Sequence, residues 1–221
     1  MTENARKDIT APLEYEHALY AENYRYIAGV DEAGRGAWAG PIAVGVVALP
    51  LADSDLEDRL HGVRDSKTMT IRQRATHAET IRKVATAYSV GMASVQEIAL
   101  QGLMGALRLA YARALAEVKT RFNFDPDFLL LDYTNWKEDK PHYNIKKGDN
   151  KSLSIACASV LAKTTRDAVM SELVTQYPRY AFEKHKGYGT KEHANAIVQY
   201  GILDGIHRTS FAPIRRIREN S

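Results

Sequence analysis

Residues 26–49 read YIAGVDEAGRGAWAGPIAVGVVAL. Two runs in this stretch, 26–30 and 42–49, have the length and the Val/Ile/Ala composition of strands. Between them lie Asp31 and Glu32, then Gly34-Arg35-Gly36, then Gly40-Pro41. Glycine and proline punctuate a tight, specially shaped connection, so the runs are expected to pair antiparallel. A carboxylate at the end of a buried strand is partly desolvated and needs a positive neighbour. Lysine or arginine would serve; a divalent cation with oxygen ligands would serve better. Two other readings compete. Gly34 to Ala39 fits G-x-G-x-x-A, with Asp53 downstream, but that dinucleotide pattern needs glycines that open a helix. Gly40-Pro41 and a β-branched run follow instead. The plainest alternative makes Asp31 and Glu32 simple turn acids.

Composition sets wide limits. The 221 residues are 45% hydrophobic, enough for a sizeable core in one large domain or two small ones. A net charge of +3 permits a polyanionic partner without requiring one. Cys157 is the single cysteine, which excludes an intrachain disulfide and a cysteine-rich metal site and favours a reducing compartment. Residues 1–10 lack the apolar core of a secretory signal, and the apolar run 41–52 is too short to span a bilayer. A cytoplasmic protein, monomeric by default, is expected.

Working outward, residues 13–23 suit a short helix, and 51–60 are acidic and turn-like. Residues 70–88 suit a helix, 88–95 a third strand and 99–122 the strongest helix of the chain. Phe128-Leu129-Leu130-Leu131 is a continuous apolar run, as in a strand covered on both faces, and it ends on Asp132. Residues 133–141 are a polar loop with Trp136, and 142–147 suit a short strand. Gly148-Asp149 precedes a second long helix, 153–177, whose first turns are nearly all small and whose end is set by Pro178. A basic loop, 184–190, a short helix, 191–200, and a tail with four arginines complete the chain. No repeat or linker divides it. One α/β domain over 1–221 is expected, with an N-terminal segment to about residue 25 and a helical extension over about 178–221.

Asp31-Glu32, Asp132 and Asp149 all stand at strand or helix termini, where α/β sites gather. If they converge, four carboxylates share a small volume, which requires bound cations. Two divalent ions about 4 Å apart would satisfy them and suit phosphodiester hydrolysis. Asp132 would then bridge the ions. Taken singly, Asp132 also fits a buried turn acid, and Asp149 a helix cap. Asp65 fits a turn and Asp167 the solvated face of its helix.

Several pieces resemble the bacterial type 2 ribonuclease H enzymes (ribonuclease HII). They are Val30-Asp31-Glu32-Ala33-Gly34-Arg35-Gly36, Ala39-Gly40-Pro41, Arg64-Asp65-Ser66-Lys67 and Lys147-Gly148-Asp149. Further along come 154–163 with Arg166-Asp167, His185-Lys186-Gly187-Tyr188-Gly189-Thr190, and His207-Arg208 with Ser210-Phe211-Ala212-Pro213. The resemblance implies a ribonuclease H-like mixed sheet flanked by helices with a C-terminal helical extension. It implies Mg²⁺- or Mn²⁺-dependent cleavage of RNA in RNA–DNA hybrids and 5′ to single ribonucleotides in duplex DNA. It makes Asp31, Glu32, Asp132 and Asp149 the catalytic, metal-binding carboxylates. Gly34, Arg35 and Gly36 should read the ribose, whose 2′-hydroxyl separates RNA from DNA. Tyr188 should stack on the neighbouring sugar, and Lys67, Lys184, Lys186 and the tail arginines are candidates for phosphate contacts. Trp38 and Thr68-Met69 depart from the family pattern, away from the proposed ligands. His77, His142 and His193 receive no role.

Overall fold

The first two strands pair as expected. In the computed structural model, which describes residues 10–132 and 138–219, β1 (Ile27–Ala33) runs antiparallel to β2 (Ile42–Ala48). Strand β3 (Ala87–Ala93) extends the meander beside β2. Strands β4 (Phe128–Asp132) and β5 (His142–Ile145) add in parallel on the other side of β1, giving the order β3-β2-β1-β4-β5. The expected polar loop after Asp132, with Trp136, lies largely outside the described residues.

Helices cover the sheet. Helix α1 (Glu14–Ala21) precedes it, α2 (Leu56–Arg59) is a single turn in the segment expected to be turn-like, and α3 (Ile71–Val84) starts at a Thr70–Gln73 capping box. Helix α4 (Val95–Phe122) packs on β2 and β3. It begins four residues earlier than its periodicity suggests, because Ser94 and Glu97 form a capping box, and it is kinked at Gly102, whose φ is 71°. Helix α5 (Leu153–Gln176) crosses β1 and β2 on the opposite face. Buried Glu16 joins α1 to its start, accepting from both Ser152 Oγ and the Ser154 amide.

The small residues at the start of α5 let backbone meet backbone. A Cβ added at Gly45 would stand 2.3 Å from the Ala158 carbonyl oxygen, and one at Gly29 only 2.2 Å from the Ser154 carbonyl carbon. Overpacking against rigid backbone costs about 3 kcal/mol. Gly45→Ala is therefore expected to lower Tm by about 6–12 °C in a thermal melt.

The C-terminal part is helical, as expected. Helix α6 (Phe182–His185) occupies the start of the expected basic loop, since Phe182 anchors it in the core. Helix α7 (Lys191–Tyr200) is where it was expected. The expected tail contains α8 (Ala212–Glu219), docked through Ile214 and Ile217.

Candidate active site

Strand alternation assigns the acids to their places. Gly29 and Gly45 face α5, so Asp31, two residues after Gly29 and opposite Gly45, faces it too. On β4, Leu130 packs with Ile155 of α5, so Asp132 points the same way. The parallel register sets Val30 beside Leu131, which brings the two following aspartates together. Asp31 and Glu32 thus lie inside β1, not after it, because the strand runs three residues past the apolar run. A strand position makes a turn-acid role unnecessary for either.

A tight 3₁₀ turn, Gly148–Asn150, supplies the third aspartate. The Gly148 amide donates to Asp132 Oδ1 at 2.8 Å, which pins the turn beside β4. Asp149 is buried there. It does not cap α5; Ser152 does, accepting from the Ile155 amide. Asp31, Asp132 and Asp149 each offer an oxygen within 4.8 Å of the others, the one such group among the described residues. Glu32 stands outside this group. Alternation turns it to the other side of the strand end, where Arg35 Nη1 lies 3.5 Å from Oε1.

Burial and crowding raise Asp31, Glu32 and Asp149. Burial pushes the Asp31 carboxyl well above its ordinary range, and Glu32 and Asp132 add to it. Burial also raises Glu32, against the pull of Arg35. Asp149 is pushed up to about 6 by burial, then by Asp65 and Asp132. Burial pulls the Lys67 ammonium down, but the surrounding carboxylates, Asp31 and Asp149 first, prevail and raise it. A carboxyl with a raised folded-state pKa contributes stability below its unfolded pKa, and loses it as pH rises through the folded value. For Asp149 that window runs from about 4 to about 6. Without divalent ions, Asp149→Asn should therefore become progressively more stable than the parent from pH 4 to pH 7, read as the difference in Tm.

Glu32, Asp132 and Asp149 line a cleft of about 560 Å³, together with Arg35, Asp65, Lys67, Lys147 and Asn150. A second cleft of about 190 Å³ adjoins it, sharing Glu32, Arg35 and Lys67 and continuing past Gly34, Gly36 and Ser66 to Tyr188. Tyr188 is half-buried, with Lys163 Nζ and Arg166 Cζ 5.3 and 5.2 Å from its ring centre. The glycines of the loop differ. Gly34 has a φ of 88°, and a Cβ there would lie 2.0 Å from Arg166 Nε; Gly36 is exposed, with nothing within 4 Å of the same position.

Other sequence expectations separate from these clefts. Exposed Lys184 pairs with Glu192 at 2.8 Å, and Lys186 Nζ donates to Ser171 Oγ; neither lines either cleft. Asp167 is not on a solvated face: Lys163 Nζ approaches it to 2.7 Å and Arg74 to 3.7 Å. Trp38 fills the space over Gly189 and packs beside His193. Of the tail arginines, Arg208 is fully buried.

The histidines without a role include part of a network. The Leu203 amide donates to His207 Nδ1, so His207 Nε2 carries the proton and donates to His193 Nε2 at 3.1 Å. His193 Nδ1 in turn donates to the Tyr188 carbonyl. Burial pushes both imidazoles down to about 4, consistent with this neutral chain. His193 and His207 stand fourteen residues apart, and sequence spacing gave no sign that they meet.

A family model described as Ribonuclease HII matches residues 28–214. The chain belongs to the ribonuclease HII family. A relative named Ribonuclease HII, from Bacillus cytotoxicus, is 41% identical over 207 residues, covering 94% of this chain and 76% of the relative. The ribonuclease H2 crystal structure from Pyrococcus horikoshii superposes with a TM-score of 0.70 at 25% identity, over 88% of this chain and 97% of that one. The Bst-RNase HIII structure in complex with Mn²⁺ shares the fold, with a TM-score of 0.68 at 19% identity over 92% of this chain and 73% of its own. The mixed sheet is thus ribonuclease H-like, and this ribonuclease HII family member is a type 2 ribonuclease H, a nuclease. The resemblance drawn from the motifs was correct at that level.

Proposed function

We propose that the enzyme hydrolyses the RNA strand of RNA–DNA hybrids and incises 5′ to single ribonucleotides in duplex DNA, leaving 3′-hydroxyl and 5′-phosphate ends. The observation that carries this reading is the meeting of Asp31, Asp132 and Asp149 within 4.8 Å. Their hard oxygen donors fit Mg²⁺ or Mn²⁺, as do the burial and raised proton affinities of Asp31 and Asp149. Asp31, Asp132 and Asp149 would hold the ions, with Glu32 at the rim. Bound there, a pair of divalent ions supplies an activated water and stabilises the leaving oxygen.

The remaining work falls to the chain. The Gly148 amide keeps Asp132 aimed at its partners and occupies one of its lone pairs. Lys67, at the mouth, brings positive charge to an approaching phosphodiester. The exposed Gly36 backbone allows a sugar to come close, where a 2′-hydroxyl can be recognised. Arg35 sits between this loop and Glu32, and Tyr188 closes the far end of the cleft as a stacking surface. Lys184 and Lys186 would serve only a longer duplex footprint. In this reading residues 1–221 act as one catalytic domain, a cytoplasmic monomer, with the C-terminal helices bracing the cleft.

The test is cleavage of a DNA duplex bearing one ribonucleotide, with Mg²⁺ and then with chelator. Incision 5′ to the ribonucleotide, abolished by chelation, is the expected result. Incision that survives chelation, or binding without cleavage under any divalent ion, would remove the mechanism.

A further inference from the structure

Two arginines lie behind the loops that line the second cleft, and both are fully buried. Neither makes an ion pair among the described residues. A buried cation without a carboxylate is costly unless hydrogen bonds compensate it. Here each guanidinium nitrogen donates to a backbone carbonyl. Arg166 donates through Nε to Pro41, through Nη1 to Lys186 and through Nη2 to Ala39. Arg208 donates through Nε to Gly40, through Nη1 to Arg35 and through Nη2 to Pro41. Burial, then the charge of Arg166, pulls Arg208 down to about 9, so it stays charged at neutral pH.

The Arg35 bond has a geometric consequence. A trans peptide points its carbonyl and the next amide in opposite directions. With the Arg35 carbonyl drawn inward to Arg208 at 3.1 Å, the Gly36 N–H faces outward, from an exposed residue, into the cleft. Arg166 does the matching job across the cleft. It holds the Lys186 carbonyl two residues before Tyr188, and its guanidinium lies 5.2 Å from the Tyr188 ring centre. The backbone joins the two loops again, as the Trp38 amide donates to the Gly187 carbonyl and the Arg208 amide to the Trp38 carbonyl.

We propose that Arg208, together with Arg166, is a positioning residue for ribonucleotide recognition: the pair locks the Gly36 amide and the Tyr188 ring into one presenting surface. It follows that the C-terminal extension, which supplies Arg208, is part of the specificity apparatus. The inference rests on the proposed cleavage of ribonucleotide-bearing duplexes. Lysine at 208 keeps the charge but cannot hold three carbonyls in a fixed fork.

The experiment compares parent, Arg208→Lys and Gly36→Ala on a duplex with one ribonucleotide and on the same duplex as all DNA. Cleavage, affinity, Mn²⁺ binding and Tm are measured. Arg208→Lys is expected to lose about 30- to 100-fold in kcat/KM. Its preference for the ribonucleotide duplex over the all-DNA duplex should fall by the same factor, while Mn²⁺ affinity is unchanged. Gly36→Ala, which has room for its Cβ in the free protein, should keep Tm and lose the same preference. Parental preference in Arg208→Lys would overturn the inference. If that variant does not fold, unchanged preference in Gly36→Ala would overturn it instead. Loss of Mn²⁺ affinity and preference together would show a merely structural role and also overturn it. A parent that neither cleaves nor prefers the ribonucleotide duplex would instead bring down the proposed function itself.

Discussion

Asp132→Asn is expected to reduce cleavage about a thousandfold or more, equivalent to about 4 kcal/mol of lost transition-state stabilisation. The substitution is nearly isosteric, and an asparagine Oδ1 still accepts from the Gly148 amide, so the turn carrying Asp149 keeps its anchor. What changes is charge. Three aspartate oxygens within 4.8 Å become two plus a neutral amide, a much weaker set for hard cations. Relief of like-charge crowding should leave Tm without ions equal to the parent's or higher, since Asp132 helps to raise both Asp31 and Asp149. Single-turnover cleavage and a thermal melt check both halves. Parental cleavage would remove Asp132 from the chemistry. Lost cleavage with a collapsed melt would reduce its role to support of the turn.

Tyr188→Ala should cost about a hundredfold in cleavage of the single-ribonucleotide duplex while affinity changes far less. The ring is not a core residue. It is half-buried, rests against two cationic side chains and lines the cleft shared with Gly34 and Gly36. Its backbone is fixed independently of the ring, since the His193 imidazole donates to the Tyr188 carbonyl. Truncation therefore removes a stacking face without releasing the loop. Affinity comes mostly from phosphate contacts elsewhere, so the loss should appear in kcat. Tyr188→Phe keeps the face and should retain most of the rate. Equal rates for parent and Tyr188→Ala on this duplex would end the stacking role.

Much of this was readable from the sequence because local and global preferences agree. The apolar run 128–131 read as a strand covered on both faces, which put Asp132 at a strand end where acids could gather. The small residues after Ser152 foretold a close approach, which the glycines of β1 and β2 complete. The different settings of Asp31 and Glu32 were not legible. They depend on β1 continuing through both, so that Asp31 packs toward α5 while Glu32 reaches Arg35 yet still lines the cleft of Asp132 and Asp149. The fate of Arg208 was hidden for a different reason. An arginine in a polar tail reads as solvated charge, and carbonyl partners some 170 positions away leave no local pattern; Arg208 Nε to the Gly40 carbonyl spans 168. Helix α8 falls inside the helical extension expected over about 178–221, although residues 201–221 read only as an arginine-bearing tail; Ile214 and Ile217 dock it beside residues of α7 and α5.

The claim beneath all of this is that aspartates from β1, β4 and the 148–150 turn form one cation-binding centre. Crystals soaked in Mn²⁺ and measured at the manganese absorption edge test it most directly. Anomalous density is expected within coordinating distance of Asp31, Asp132 and Asp149, and absent from Asp132→Asn crystals soaked in the same way. Ordered Mn²⁺ found only elsewhere on the molecule, with those three carboxylates bare, would contradict it.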